Sequence, residues 1–132
     1  MRVIISLDLS SDVPIYQQLR DRVVEGIAAG TVREGESLPS TRQLAADFGI
    51  NFHTVNKAYD LLRQQGFVHL NRKTGAVIGP TAADAAFTDG WSARARTLLA
   101  EAVAKGVPAD EVLATCRALL ANFGEQQGDE ES

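Results

Sequence analysis

Between residues 40 and 75 the sequence collects side chains suited to holding a polyanion and reading its edges, not to making or breaking covalent bonds. Asn51, Phe52, His53, Thr54, Asn56 and Lys57 fall within seven consecutive positions. An asparagine carboxamide can pair with both edge groups of adenine, threonine can bond a base or touch the thymine methyl, and lysine can bond guanine or a phosphate. Upstream, Ser40 and Thr41 place two hydroxyls beside Arg42, whose fork-shaped guanidinium can bridge phosphate oxygens. Downstream, Arg72 and Lys73 are adjacent cations in a polar turn. The window holds five basic residues against two acidic ones, a net of +3. Catalysis has no comparable foothold. The sequence lacks a Walker A loop, a dinucleotide fingerprint, a Gly-x-Ser-x-Gly elbow and a His-Glu-x-x-His motif. His53 and His69 are 16 residues apart and Cys116 is the single cysteine, so no zinc-ligand spacing occurs. The expectation is a protein that is not an enzyme and needs no cofactor or metal.

Two short helices must position these residues. Ser40 and Gln43 spell a capping box, in which the serine accepts from the Gln43 N–H and the glutamine side chain reaches back to the Ser40 N–H. A helix carrying Leu44, Ala45 and Phe48 should follow and stop at Gly49. Asn51 then caps a second helix whose apolar stripe is Val55, Ala58, Tyr59 and Leu62, ended by Gly66. Two helices joined by a few residues with a glycine in the turn are a helix-turn-helix. In such motifs the start of the second helix meets base edges in the major groove, while the free N–H groups at the start of the first favour phosphate. Residues 67–70 and 76–78 read as two strands of a hairpin, a wing that carries Arg72 and Lys73 at its tip. Ahead of the motif, Val3, Ile5, Leu7 and Leu9 alternate as in a short strand. A helix starting near Pro14 buries Ile15, Leu19, Val23 and Ile27 and stops at Gly30.

Two more helices follow. One spaces Phe87, Trp91, Ala95, Leu98, Leu99, Ala102 and Val103, with Gly90 as an early weak point; the other starts near Pro108 and aligns Val112, Leu113, Cys116, Leu119, Leu120 and Phe123. Two amphipathic helices cannot enclose a core alone, so their stripes must cover the first domain or a second copy of the chain, and self-association is the favoured reading. Cys116 is expected there as a small packed hydrophobe.

The whole chain of 132 residues has a net charge of −4, which taken alone argues against a nucleic-acid partner. The distribution removes the objection. Residues 1–80 hold nine basic and eight acidic residues, whereas residues 81–132 hold four and nine. The expected organisation is mainly α with small β: an N-terminal winged helix-turn-helix at 1–80, a short two-helix dimerisation segment at 81–124, and an acidic tail at 125–132 that lacks the apolar residues to fold. With no signal-like or membrane-spanning apolar run and no possible intramolecular disulfide, the expected location is cytoplasmic, with no membrane partner.

The runs Pro14-Ile-Tyr-Gln-Gln-Leu19, Gly35-Glu-Ser-Leu-Pro-Ser-Thr-Arg-Gln-Leu-Ala45 and Ile50-Asn-Phe-His-Thr-Val-Asn-Lys-Ala-Tyr59 resemble the DNA-binding domain of GntR-family bacterial transcription regulators over about residues 10–79. The short two-helix end further resembles the YtrA subfamily. Matched by position, the resemblance implies DNA contacts by Ser40, Thr41 and Arg42, by Asn51, Phe52, His53, Thr54, Asn56 and Lys57, and by Arg72 and Lys73. Lys57 stands where the family usually has arginine, and Lys73 replaces the first glycine of the usual Gly-x-Gly wing turn. The resulting expectation is a homodimeric repressor on an inverted-repeat DNA operator, with any small-molecule effector unknown. A winged helix that has lost DNA binding and serves as a protein-interaction module is the alternative.

Overall fold

The computed structural model describes residues 6–79 and 82–131, the last seven of these by backbone alone. Among them run α1 (Ile15–Ala29), α2 (Thr41–Phe48), α3 (Phe52–Gln64), β1 (Val68–Asn71), β2 (Gly75–Ile78), α4 (Ala85–Ala104) and α5 (Ala109–Glu131). The chain divides into two units, one made of Met1–Thr81 with Gln126–Ser132 and the other of Ala82–Glu125.

In the first unit, α3 is the central element and packs on α1, α2 and β1. Its stripe of Val55, Ala58, Tyr59 and Leu62 is buried, as the spacing predicts. Leu19 and Val23 of α1, Leu44 and Ala45 of α2, and Val68, Ala76 and Ile78 of the wing complete the core. Each fully buried branched side chain contributes about 1.5–3 kcal/mol relative to exposure. Tyr59 adds a polar tie: its hydroxyl donates to the Pro39 carbonyl at 2.7 Å, across the entry to α2. Burial pushes the phenol well above its ordinary pKa, so the donor keeps its proton.

The strands pair antiparallel in the register Val68↔Ile78 through Asn71↔Gly75. A three-residue turn joins them, and Gly75, at φ 80°, supplies the left-handed position that lets the chain reverse. One glycine therefore suffices for the reversal. The hairpin also gains an unexpected edge. Gly35 N–H donates to Ile78 O, Ile78 N–H to Glu36 O and Leu38 N–H to Ala76 O, each at 2.8 Å, so part of the connection between α1 and α2 lies along β2.

The strand expected over residues 3–9 falls partly outside the described residues, and what is described is irregular, turning at Leu9. Gln18 supplies the reason. Its side-chain oxygen accepts from Asp8 N–H at 2.8 Å, and its amide donates to Asp8 O at 2.9 Å and Val13 O at 2.8 Å. Both backbone groups of Asp8 are thus satisfied by one buried side chain, leaving a ladder partner nothing to pair with. Leu9 is 72% exposed.

In the second unit, the Asp84 carboxylate caps α4 by accepting from Phe87 N–H at 2.8 Å. The helix passes through Gly90 unbroken, since one interior glycine costs only about 1 kcal/mol. Gly106, at φ 81°, ends it. The segment after Gly124, expected as a structureless tail, continues α5 as helix to Glu131; glutamate and glutamine are good helix formers, and extending an existing helix needs no new nucleus. None of the α4 residues is buried, and α4 and α5 share no extended packing.

Replacing Gln18 with leucine should lower the unfolding free energy by about 1–3 kcal/mol, because the backbone groups of residues 8–13 lose their partner. Urea denaturation measures this, and an unchanged midpoint would contradict the clamp.

Candidate nucleic-acid interface

The first turns of α2 and α3 are shaped by their caps. Ser40 Oγ accepts from Gln43 N–H at 3.1 Å, the forward half of the expected capping box. The reciprocal half is replaced: the Gln43 side-chain amide donates to Asp47 Oδ1 at 2.7 Å, one turn further on. At Gly49 the backbone takes the left-handed conformation, φ 64°, which turns the chain from α2 into α3 within three residues. Asn51 Oδ1 then accepts from His53 N–H at 2.8 Å. The cap occupies the Asn51 oxygen and leaves its NH2 as the end able to donate outward.

This arrangement brings two of the predicted groups together. The Arg42 guanidinium lies 5.7 Å from the centre of the Phe52 ring, so the start of α2 is tied to the start of α3 by a cation–π contact. The Phe52 and His53 rings stand 4.1 Å apart at 34°. Phe52, His53 and Lys57 are exposed, and Thr54 and Asn56 are half-buried at the edge of the same face. Arg72 and Lys73 are exposed at the wing turn, where Asn71 Oδ1 accepts from Lys73 N–H at 2.9 Å and holds the turn's shape.

Electrostatics separate two classes of cation. The described ion pairs engage Arg20 with Asp21, Arg22 with Glu25 and, at 3.4 Å, Arg63 with Asp60. Among the described residues no carboxylate pairs with Arg42, Lys57, Arg72 or Lys73, and neither α2 nor α3 carries an acid in its first turn. Unneutralised cations and the positive ends of two helices thus belong to one motif.

Sequence reasoning missed one aromatic residue. Tyr16 of α1 lies beside α3, and the Lys57 ammonium rests 4.1 Å from the centre of its ring. Both line an open cleft of about 700 Å³ between α1 and α3, together with His53, Asn56 and Asp60. The helical period marks Ile15 and Leu19 as core but is silent on which side chain Tyr16 meets 41 positions away.

The eleven residues expected at a self-association surface lie on α4 and α5. Phe87, Trp91, Leu98, Leu99, Val103, Leu113, Leu119 and Leu120 are exposed, Trp91 at 55% and Leu120 at 70%; Val112 and Phe123 are half-buried. Cys116, expected as a packed hydrophobe, is exposed in the single chain.

Residues 15–78 match the family model described as bacterial regulatory proteins, gntR family. The HTH-type transcriptional repressor YtrA of Bacillus subtilis (strain 168) is 36% identical over 78 residues, 59% of this chain and 60% of that one. The solved structure of YtrA from Sulfolobus acidocaldarius, a GntR-family transcription factor, is 37% identical, with a TM-score of 0.64 over 76% of this chain and 98% of that one. A transcriptional antiterminator from Listeria monocytogenes EGD-e shares the fold at a TM-score of 0.82 and 23% identity, covering 89% of this chain and 90% of that one. The chain spans less than two thirds of the length of the curated relatives it matches first. The winged helix-turn-helix, its capped and glycine-jointed helices and these likenesses lead to one conclusion: the chain belongs to the GntR family of bacterial regulatory proteins, as a YtrA-like member.

Proposed function

We propose that the chain is a sequence-specific DNA-binding transcriptional regulator, a repressor that acts as a homodimer on an inverted-repeat operator. The observation that carries the reading is the face shared by α2 and α3: Arg42 and Lys57 without acidic partners, beside the exposed or half-exposed His53, Thr54 and Asn56 at the start of a rigidly packed helix. In this reading α3 enters the major groove, Asn56 and His53 meet base edges, and Arg42, Arg72 and Lys73 hold phosphates. Asn51 donates through the NH2 that its cap leaves available, and Ser40 and Thr41 serve the phosphate through the backbone N–H groups at the α2 start.

The apolar surface of the second unit supports the dimer. A single chain leaves eight large hydrophobic residues of α4 and α5 exposed to water, side chains that a contact with another chain would cover. A second copy covering them would make the interface isologous and double the basic face. Residues 1–80 are then the DNA-binding domain and residues 81–124 the segment that joins the copies. Two-fold symmetry places the operator half-sites about one helical turn, or a multiple of it, apart. Occupying such a site over a promoter blocks transcription, and the cytoplasm is the compartment that offers the DNA.

Arg42→Ala should weaken binding to every duplex and reduce the slope of log K against log salt by about 0.9, the share of one phosphate contact. Asn56→Ala or His53→Ala should instead change which sequence is selected from a random pool, each altered base position shifting by about 1–3 kcal/mol. Fluorescence anisotropy across salt and pool selection measure the two effects. Equal losses with unchanged selection in all three variants would refute the division into anchors and readers.

The double variant Leu98→Asp, Leu120→Asp should sediment as a monomer and bind a full inverted repeat no better than a half-site, while its first unit unfolds at the wild-type temperature. A charged variant that stays dimeric would remove α4 and α5 from the interface.

A further inference from the structure

Lys57 is held where a surface lysine is ordinarily free. Its four-carbon stem carries a strongly hydrated ammonium that samples many rotamers in water. Here the ammonium rests 4.1 Å from the centre of the Tyr16 ring. The nearby carboxylate on the same cleft, Asp60, pairs with Arg63 at 3.4 Å, and among the described residues no acid neutralises Lys57. Tyr16 is itself fixed: it is half-buried on α1, packed against the core cluster next to the buried Gln18 and Leu19. A π-face on a rigid helix therefore faces a cation on the proposed recognition helix. The contact draws the ammonium across the α1–α3 cleft, towards α1.

We propose that Tyr16 is a positioning residue for DNA binding: its ring holds the Lys57 ammonium over the α1–α3 cleft, where it meets a backbone phosphate and not a base edge. The inference deepens the DNA-binding reading and rests on it. A cation already seated loses less rotamer freedom when a phosphate arrives, so part of its affinity comes from pre-ordering. A bidentate fork suits a guanine edge, whereas a point charge seated on a ring suits a phosphate, which needs no fixed in-plane geometry. Arg42 on Phe52 repeats the device at the other end of the motif. Two cations of the same face are thus each carried by an aromatic ring.

The test uses the full chain and the duplex that wild type selects from a random-sequence pool, with anisotropy read across salt. Lys57→Met keeps the stem and removes the charge; it should weaken binding about 3- to 10-fold, lower the salt slope by about 0.9, and leave the selected sequence unchanged. Tyr16→Phe keeps the ring and should bind like wild type. Tyr16→Leu removes the ring, should weaken binding about threefold, and should have no further effect when added to Lys57→Met, because the lost contact is already gone. Thermal unfolding of each variant separates a folding defect from a binding one, and the comparison within the Lys57→Met background holds even where Tyr16→Leu is less stable. A Tyr16→Phe loss equal to that of Tyr16→Leu would make the hydroxyl the contact and overturn the inference. So would a further loss on adding Tyr16→Leu to Lys57→Met, or a changed sequence preference in Lys57→Met. These outcomes leave the DNA-binding reading standing. A wild-type chain that binds no duplex in a salt-dependent way overturns that reading, and this inference with it.

Discussion

The structure depends on one packed face, the stripe of Val55, Ala58, Tyr59 and Leu62 on α3. Val55, Ala58 and Leu62 are wholly removed from solvent, and they bring α1, α2 and β1 onto a single helix. Because helical side chains recur every 3.6 residues, burying this stripe orients the opposite face without further choice. His53 and Lys57 must then project into solvent, with Thr54 and Asn56 at the margins. The Tyr59 hydroxyl extends the constraint to the entry of α2 through Pro39. In the proposed function, precision on a duplex would come from this rigidity, since a recognition helix free to roll would lose the alignment of its side chains with base edges.

The acidic balance of the chain takes a different meaning in this light. A net charge of −4 averages two unlike parts, and the positive one contains the helix-turn-helix and wing. Within it, Asp21, Glu25 and Asp60 pair with Arg20, Arg22 and Arg63, while Arg42, Lys57, Arg72 and Lys73 stand without acidic partners among the described residues. Aromatic rings hold two of these cations without neutralising them. An aromatic seat fixes position and preserves charge, which an ion pair cannot do.

Much of this was legible in sequence because it is local. The caps at Ser40 and Asn51, the glycine joint at Gly49, the α3 stripe and the hairpin all depend on residues within a few positions of one another, and the structure shows each. What escaped depends on distant partners or on a choice between similar local bonds. The Gln18 clamp holds Asp8, at the described end of the expected strand, in an irregular turn, and Gln43 prefers Asp47 to the Ser40 N–H. The edge that residues 35–38 add to β2 and the meeting of Tyr16 with Lys57 both require the tertiary fold. The C-terminal end shows a further limit of composition: a polar, acidic segment cannot build a core, yet it can prolong a helix already formed.

The central claim is that residues around 40–42, 52–57 and 72–73 form one DNA-facing surface. It is tested most directly by titrating the 15N-labelled full chain with its selected duplex and mapping amide shift changes. The account predicts the largest changes at Thr41, Arg42, His53 to Lys57 and the Arg72–Lys73 turn, with the exposed apolar face of α4 unmoved. Changes concentrated on α4 and α5, with the start of α3 silent, would contradict it.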